Sequence, residues 1–220
     1  MEDAVNEYLL SFIDPKDKLI LEMEEYATEN HVPIMDRLGM EFMLQFLRLI
    51  GPKSILELGT AIGYSSIRMM QAIPNSRIVT VERNRERYEK ALEYIERSPV
   101  TDRISVIYGD ALETGEQVKE HGTFDVIFID AAKGQYRRFF DLYEPLLNPG
   151  GVIISDNVMY HGLVTTKEKI ENRRTRGLIR RIKTYNEWLM NHEGYDTTIF
   201  PIGDGVAVSK KRGWPRYEET

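Results

Sequence analysis

The chain has 220 residues, of which 42% are hydrophobic and 29% charged, a balance typical of a soluble globular protein long enough to bury its own core. It contains no cysteine, which excludes disulfides, thiolate catalysis and cysteine-ligated zinc or iron–sulfur sites. The net charge of −6 argues against indiscriminate nucleic-acid binding. The N-terminus is acidic and no apolar run approaches the length of a membrane span, so we expect a cytoplasmic protein without a membrane partner.

The first fifty residues are predicted to form helices that cover the rest of the chain. Two runs carry apolar residues at helical spacing: Leu19, Met23, Tyr26 and Ala27, then Leu38, Phe42, Phe46, Leu49 and Ile50. Gly51-Pro52 ends the second run. We therefore expect one apolar face of each helix to pack against a core.

From residue 54 onwards, short apolar strands alternate with helices. The predicted strands cover residues 54–58, 77–81, 104–108, 124–129 and 152–155. The predicted helices cover 64–73, a segment that follows the N-cap Asn84, and a segment that ends at 148–151. Continuous apolar strands that alternate with helices indicate a parallel sheet covered on both faces.

The last part of the chain returns to helical spacing and then forms a hairpin. Leu178, Ile182, Tyr185 and Leu189 share one helical face, and predicted strands at 197–202 and 206–209 flank Gly203-Asp204-Gly205. The fold prediction is one α/β domain over 1–220, with a helical cover at 1–50 and a core at 51–210. Ligands of such a sheet bind at the carboxyl ends of its strands.

Three successive strand ends carry residues suited to a nucleotide. Gly59 and Gly63 permit a tight turn before a helix, Glu82 ends the second strand, where an acid can bind both ribose hydroxyls, and Asp110 with Ala111 follows the third. A glycine-rich turn alone is a weak signal, because the same turn also serves as a structural connection between a strand and a helix. The G-x-x-x-G spacing differs from the G-x-G-x-x-G of dinucleotide binders, which disfavours an NAD-dependent dehydrogenase.

The next two strand ends carry oxygen donors. Asp130 follows the fourth strand, with Lys133 three residues later, and Asp156-Asn157 follows the fifth. If these strands are neighbours, two carboxylates and one amide converge, a donor set that suits a hard cation such as Mg²⁺. The plainer alternatives are acids that cap helices and a surface lysine.

These motifs resemble those of class I methyltransferases, which bind S-adenosylmethionine on a Rossmann-like, mostly parallel seven-stranded sheet. More narrowly, they are similar to the catechol and caffeoyl-CoA O-methyltransferase family. The resemblance implies that Glu82 binds the ribose of the cofactor and that Asp110 and Ala111 bind the adenine. Met35 would belong to a segment that folds over the cofactor. The residues implied around the methionine part are Glu57, Gly59, Gly63 and Ser65. The resemblance also implies that Asp130 lies beside the cofactor.

The family's chemistry assigns roles at the reacting end. The sulfonium carries an activated methyl group, so the enzyme must supply an oxyanion in line with it. A metal held by Asp130, Asp156 and Asn157 would stabilise that oxyanion. Lys133 is the candidate general base, because a nearby dication disfavours its ammonium form.

The acceptor should carry two oxygens on adjacent atoms, as catechols and 5-hydroxyuridine do. The chain looks especially like bacterial tRNA 5-hydroxyuridine methyltransferases, which act at the wobble position of the anticodon. The 167–183 segment carries eight Lys/Arg against two Glu, and Arg137 and Arg138 add to this charge. This agrees with a tRNA substrate, and a homodimer could build one basic groove.

Other interpretations of the same residues stay open. A solvated helix face explains the basic segment equally well. A small catechol-like or caffeoyl-CoA-like phenol is the alternative acceptor. A non-catalytic nucleotide-binding scaffold on the same fold is the alternative from another class, because a fold does not determine a function.

Overall fold

The computed structural model describes residues 2–13, 17–166 and 170–213. Seven strands occur in the described part: β1 Ser54–Leu58, β2 Arg77–Glu82, β3 Ile104–Tyr108, β4 Phe124–Ile129, β5 Leu147–Ser155, β6 Tyr195–Phe200 and β7 Val206–Lys211. The α-helices are α1 Glu2–Leu10, α2 Lys18–Glu29, α3 Arg37–Ile50, α4 Tyr64–Ala72, α5 Arg85–Arg97, α6 Gly115–Lys119, α7 Tyr136–Tyr143 and α8 Arg173–Met190. None of these helices is both long and apolar enough to cross a membrane.

The strands form one sheet in the order β3-β2-β1-β4-β5-β7-β6. Strands β1 to β5 pair in parallel, and β7 pairs antiparallel with both β5 and β6. The predicted parallel sheet with a C-terminal antiparallel hairpin is therefore confirmed. Its register brings the ends of β1, β4 and β5 level, since Leu58 pairs with Ile129 and Ile129 pairs with Ser155.

Helices cover both faces of the sheet, and the pleat of each strand divides its side chains between two cores. Ile55, Ile78 and Phe128 face one core, to which α2, α3, α4 and α5 contribute. Leu56 and Ile127 face the other core, which α7 and α8 complete. All five side chains of β1 are buried, as expected for a central strand covered on both faces, and they include the polar residues Ser54 and Glu57.

The predicted apolar face of α3 is partly wrong. The helix buries Met40, Met43, Leu44 and Leu47, whereas Leu49 is 77% exposed. The sequence of α3 is apolar on two adjacent faces, so helical spacing alone could not select the face that contacts the core.

Two element boundaries also differ from the predictions. The helix α7 ends at Tyr143, and a short 3₁₀ turn follows at Glu144–Leu146, because Pro145 has no N–H to continue the helical bonding. Strand β5 begins at Leu147 rather than at 152, since Leu147 already pairs with Phe124 of β4, and residues 148–151 form an irregularity before Val152 pairs with Val126.

The amino ends of the strands meet at Asp125. Its carboxylate accepts hydrogen bonds from the backbone N–H groups of Lys53 (2.7 Å) and Ser54 (3.1 Å) and from the side chain of Asn148 (2.8 Å). Burial acts to raise the pKa of Asp125, but the donors outweigh burial and lower it. The ionised carboxylate therefore ties β1, β4 and β5 together.

The substitution Asp125→Asn should destabilise the fold by about 1–2 kcal/mol at pH 7, because an amide NH₂ would then face backbone donors. Since the folded pKa lies below the unfolded value, the stabilisation is present above about pH 4 and is lost as the pH falls through the folded pKa. Urea unfolding at pH 7 and at low pH measures both effects. Asp102→Asn, at an exposed position, is the control. Equal unfolding midpoints for the wild type and Asp125→Asn at pH 7 would contradict the stabilising role of Asp125.

Candidate active site

A cavity of about 410 Å³ opens at the carboxyl edge of the sheet. Residues that end or follow five consecutive strands line it: Gly59, Glu82, Asp110, Asp130 and Asp156. Backbone hydrogen bonds continue past the strand ends, for Asp130 N–H donates to Leu58 O (3.0 Å) and Asp156 N–H to Ile129 O (3.1 Å). The strand ends that the sequence singles out thus meet at one site.

Glu82 is held as an acceptor at the end of β2. Its carboxylate is 7% exposed and accepts hydrogen bonds from the backbone N–H groups of Ala61 (2.9 Å) and Asn84 (2.8 Å). Each carboxylate oxygen can accept more than one hydrogen bond. The Glu82 side chain can therefore accept hydrogen bonds from the two hydroxyls of a ribose while it keeps those from Ala61 and Asn84.

Asp110 and Ala111 line the same cavity beyond the end of β3. The backbone N–H of Leu112 donates to Asp110 (2.9 Å) and lowers its pKa; the Arg83 guanidinium, 3.2 Å away, lowers it further. An ionised carboxylate at this position can accept a hydrogen bond from an exocyclic amine such as that of adenine.

Gly59 allows the backbone that follows β4 to approach the end of β1 closely. Its φ of +107° suits glycine, and a Cβ atom there would lie 2.2 Å from the backbone oxygen of Asp130. Met35 is buried and lines the cavity together with Pro33 and Ile34, as expected for a segment that covers the cofactor.

Three residues that the resemblance implied as cofactor contacts do not line this cavity: Glu57, Gly63 and Ser65. Glu57 is completely buried and accepts hydrogen bonds from Ser65, Ser66 and Thr80. Burial raises the pKa of Glu57, although these hydroxyl donors oppose the rise. Glu57 thus ties β1, β2 and the start of α4 together behind the wall of the cavity.

Asp130 and Asp156 form a pair of acids at the other end of the cavity. Asp156 is 3% exposed and Asp130 is partly buried. Burial raises the pKa of both carboxyls, and the charge of Asp156 raises that of Asp130 further. Both carboxyls are therefore harder to ionise than a free aspartate, and a nearby positive charge favours their ionised form.

Asn157 completes this donor set in a strained conformation. Its φ is +55°, and its backbone N–H donates to the Asp156 carboxylate (2.7 Å). The Lys133 ammonium donates to the Asn157 side-chain oxygen. The described residues contain no cluster of three His, Asp or Glu suited to a metal, but two acids and one amide fit a hard divalent cation with open positions for substrate and water.

The turn of the β6–β7 hairpin holds the segment after Asn157. Val158 N–H donates to Gly205 O (3.0 Å) and Met159 N–H to Asp204 O (2.8 Å), while Asp204 also pairs with His161 (2.9 Å). The hairpin therefore positions one wall of the reacting end.

Sequence reasoning missed several supporting residues. Arg83, Arg87 and Phe139 line the cavity, and the Tyr136 hydroxyl donates to the backbone oxygen of Asp156 (2.7 Å). Arg83 adjoins Glu82 in the sequence, which was a usable signal. No such signal marked Tyr136, because an aromatic residue at this spacing indicates only the apolar face of a helix.

The family of the chain follows from comparison with known proteins. A family model described as "O-methyltransferase" matches residues 13–212. The chain belongs to this O-methyltransferase family. The methyltransferase is 30% identical over 217 residues to a catechol O-methyltransferase of Niastella koreensis (94% of this chain, 96% of the relative) and 29% identical over 219 residues to caffeoyl-CoA O-methyltransferase 5 of Nicotiana tabacum (95% and 91%).

Solved structures agree with this assignment. The methyltransferase matches the S-adenosylhomocysteine-bound methyltransferase PaMTH1 of Podospora anserina with a TM-score of 0.84 and 27% identity, over 96% of this chain and 95% of the other. The class I methyltransferase fold and S-adenosylmethionine as methyl donor, both predicted from the sequence, are thereby confirmed.

The substitution Glu82→Gln should weaken S-adenosylmethionine binding about ten- to a hundred-fold, because an amide offers fewer acceptors to the ribose hydroxyls. Calorimetric titration measures the affinity, and circular dichroism checks the fold. Glu86→Gln, at an exposed position on α5, is the control. An affinity equal to that of the wild type would exclude Glu82 as the ribose ligand.

Proposed function

We propose that the methyltransferase is metal-dependent and transfers a methyl group to one of two oxygens on adjacent atoms of its acceptor. The observation that carries the proposal is the pairing of Asp130 and Asp156 at one end of the cofactor cavity, next to Asn157. These three side chains would hold the cation. The opposite end of the same cavity offers Glu82 and Asp110 to the nucleoside of the methyl donor.

A bound Mg²⁺ would supply a Lewis acid that stabilises the deprotonated acceptor hydroxyl. Asp130 lies between the two halves of the cavity, after β4, and so aligns the acceptor with the donor. Gly59 has no Cβ, so the backbone of Asp130 lies close to the end of β1. Alignment of this kind removes much of the entropic cost of methyl transfer.

Lys133 is the residue that we assign as the general base, which accepts the proton of the acceptor hydroxyl. It lines the cavity and its Nζ reaches Asn157 Oδ1, which places the amine beside the proposed cation site. In the neutral form, Nζ takes the proton of the acceptor hydroxyl. The new O–CH₃ bond then forms as the S–CH₃ bond breaks, so the reaction needs no further acid or base.

The substitution Asp156→Asn should lower kcat/KM at least about 1,000-fold, because it removes one charge from the cation site while preserving shape. S-adenosylmethionine affinity should change less than about three-fold, since Asp156 lies at the far end of the cavity from Glu82. Steady-state kinetics and calorimetry separate the two effects, with the exposed Asp102→Asn as control. Full turnover by Asp156→Asn, or by the wild type after exhaustive chelation, would contradict the metal proposal. If the wild type binds S-adenosylmethionine but methylates no acceptor, the result would favour a non-catalytic nucleotide-binding scaffold.

For the acceptor, the relatives favour a small phenol of the catechol or caffeoyl-CoA type. A second candidate, 5-hydroxyuridine in the tRNA anticodon, rests on surface charge. These cations are exposed on α7 and α8: Arg137, Arg138, Arg173, Arg174 and Arg180. Residues 167–169 of the predicted basic segment lie outside the described residues.

Charge reversal at Arg173, Arg174 and Arg180 separates these acceptors. If tRNA is the acceptor, kcat/KM on tRNA should fall at least about 100-fold, because each arginine near the backbone offsets a phosphate charge. Turnover of catechol should be preserved. Kinetics on both acceptors, together with mass spectrometry of tRNA nucleosides from cells that lack the protein, provide the measurements. Unchanged tRNA methylation by the variant, or an unchanged nucleoside profile in the cells, would leave the phenol as the acceptor.

A further inference from the structure

A second cavity, of about 220 Å³, lies between α7, α8 and the turn at Lys133–Gln135. Lys133 lines both this cavity and the cofactor cavity. The two spaces therefore adjoin at Lys133, with Asp156 and Asn157 on one side and α8 on the other. We call the second space the α8 cavity.

The lining of the α8 cavity is strongly cationic. Arg137, Arg180 and Arg181 join Lys133 around it. Arg137 is paired with Asp141 (3.0 Å). Within the described ranges, no ion pair links Arg180 or Arg181 to a carboxylate. Three guanidinium groups thus share a small space, and Asp141 is the acid paired with one of them, which creates a local positive potential in a chain of net charge −6.

The guanidinium of Arg137 is held in place by an aromatic platform. Its Cζ lies 3.8 Å from the centre of the Trp188 ring, and its Nε donates to both oxygens of Asp141. Trp188 is packed in turn against Phe140 (4.8 Å) and Tyr185 (5.9 Å). Two anchors on one guanidinium leave its terminal nitrogens available to a ligand at little entropic cost.

On the opposite wall, Gly134 gives room to Arg181. A Cβ atom at position 134 would lie only 3.0 Å from Arg181 Nε, so that guanidinium rests directly against the turn that carries Lys133. Planar guanidinium groups on two walls match the several oxygens of a phosphate better than they match a single carboxylate.

We propose that the α8 cavity binds a phosphate group of the methyl acceptor. This inference rests on the proposed function: the two adjacent oxygens lie at Asp130 and Asp156, and the phosphate-bearing part passes Lys133 into the α8 cavity. The same chemistry can come from two sources, the phosphates of a coenzyme A thioester or the phosphate attached to a nucleoside. Nothing in the cofactor half of the site uses these arginines.

The test compares acceptors with and without phosphate on the double variant Arg180→Gln/Arg181→Gln. The pairs are caffeoyl-CoA against caffeoyl N-acetylcysteamine, and 5-hydroxyuridine 5′-monophosphate against 5-hydroxyuridine. On the phosphate-bearing acceptor that the wild type prefers, kcat/KM of the double variant should be about ten- to a hundred-fold below that of the wild type, as expected when charged hydrogen bonds are lost. For the phosphate-free member it should change less than about two-fold.

The control variant Arg48→Gln/Lys119→Gln also removes two exposed positive charges, but away from the α8 cavity. It should leave both members of each pair unaffected. If the wild type prefers caffeoyl-CoA to caffeoyl N-acetylcysteamine, the cavity is assigned to the phosphates of coenzyme A. If it prefers 5-hydroxyuridine 5′-monophosphate to 5-hydroxyuridine, the cavity is assigned to a nucleic-acid phosphate. Equal losses on both members of a pair, or no loss at all, would overturn the proposal.

Calorimetric titration with inorganic pyrophosphate separates this inference from the proposed function. The wild type should bind pyrophosphate, and Arg180→Gln/Arg181→Gln should bind it at least about ten-fold more weakly. If no chelating acceptor is methylated by the wild type, the proposed function fails while pyrophosphate still tests the cavity. Equal pyrophosphate binding by wild type and double variant would overturn the cavity, whatever the acceptor.

Discussion

Two acidic side chains sit together where the sheet leaves little water to solvate them. Asp130 and Asp156 follow β4 and β5, whose last residues, Ile129 and Ser155, are paired in register. Each additional negative charge at this point opposes the ionisation of the other carboxyl. A pair that is costly to ionise alone favours a nearby cation, and the roles proposed for Lys133 and Asn157 depend on that property.

The rest of the fold holds this pair in place. Strand β1 lies beside β4, so that Gly59 reaches the backbone of Asp130 and keeps the nucleotide end close to the reacting end. The Tyr136 hydroxyl supports the backbone of Asp156, and the β6–β7 turn supports the segment that follows it. The antiparallel hairpin therefore supports the site, although none of the three proposed cation ligands lies on it.

The sequence predicted the strand ends well because the physics there is local. Apolar runs mark the central strands, and parallel pairing brings their carboxyl ends to one edge, so Asp130 and Asp156 had to be near each other if β4 and β5 were neighbours. Glu57 shows where such reasoning stops. The pleat of β1 turns its side chain towards Ser65 and Thr80, on the face of the sheet opposite that of Leu56 and Leu58, although Gly59 is only two residues away. The exposed Leu49 and the α8 cavity likewise depend on how helices pack, which helical spacing does not encode.

The most direct test of this account is the position of the metal. Crystals grown with S-adenosylhomocysteine and Mn²⁺, measured at a wavelength that gives anomalous scattering from manganese, would locate the ion. The account predicts one peak within about 2.1 Å of oxygens from Asp130, Asp156 and Asn157. No peak between the two carboxylates in crystals that contain the bound nucleoside, or a peak held by other residues, would contradict it.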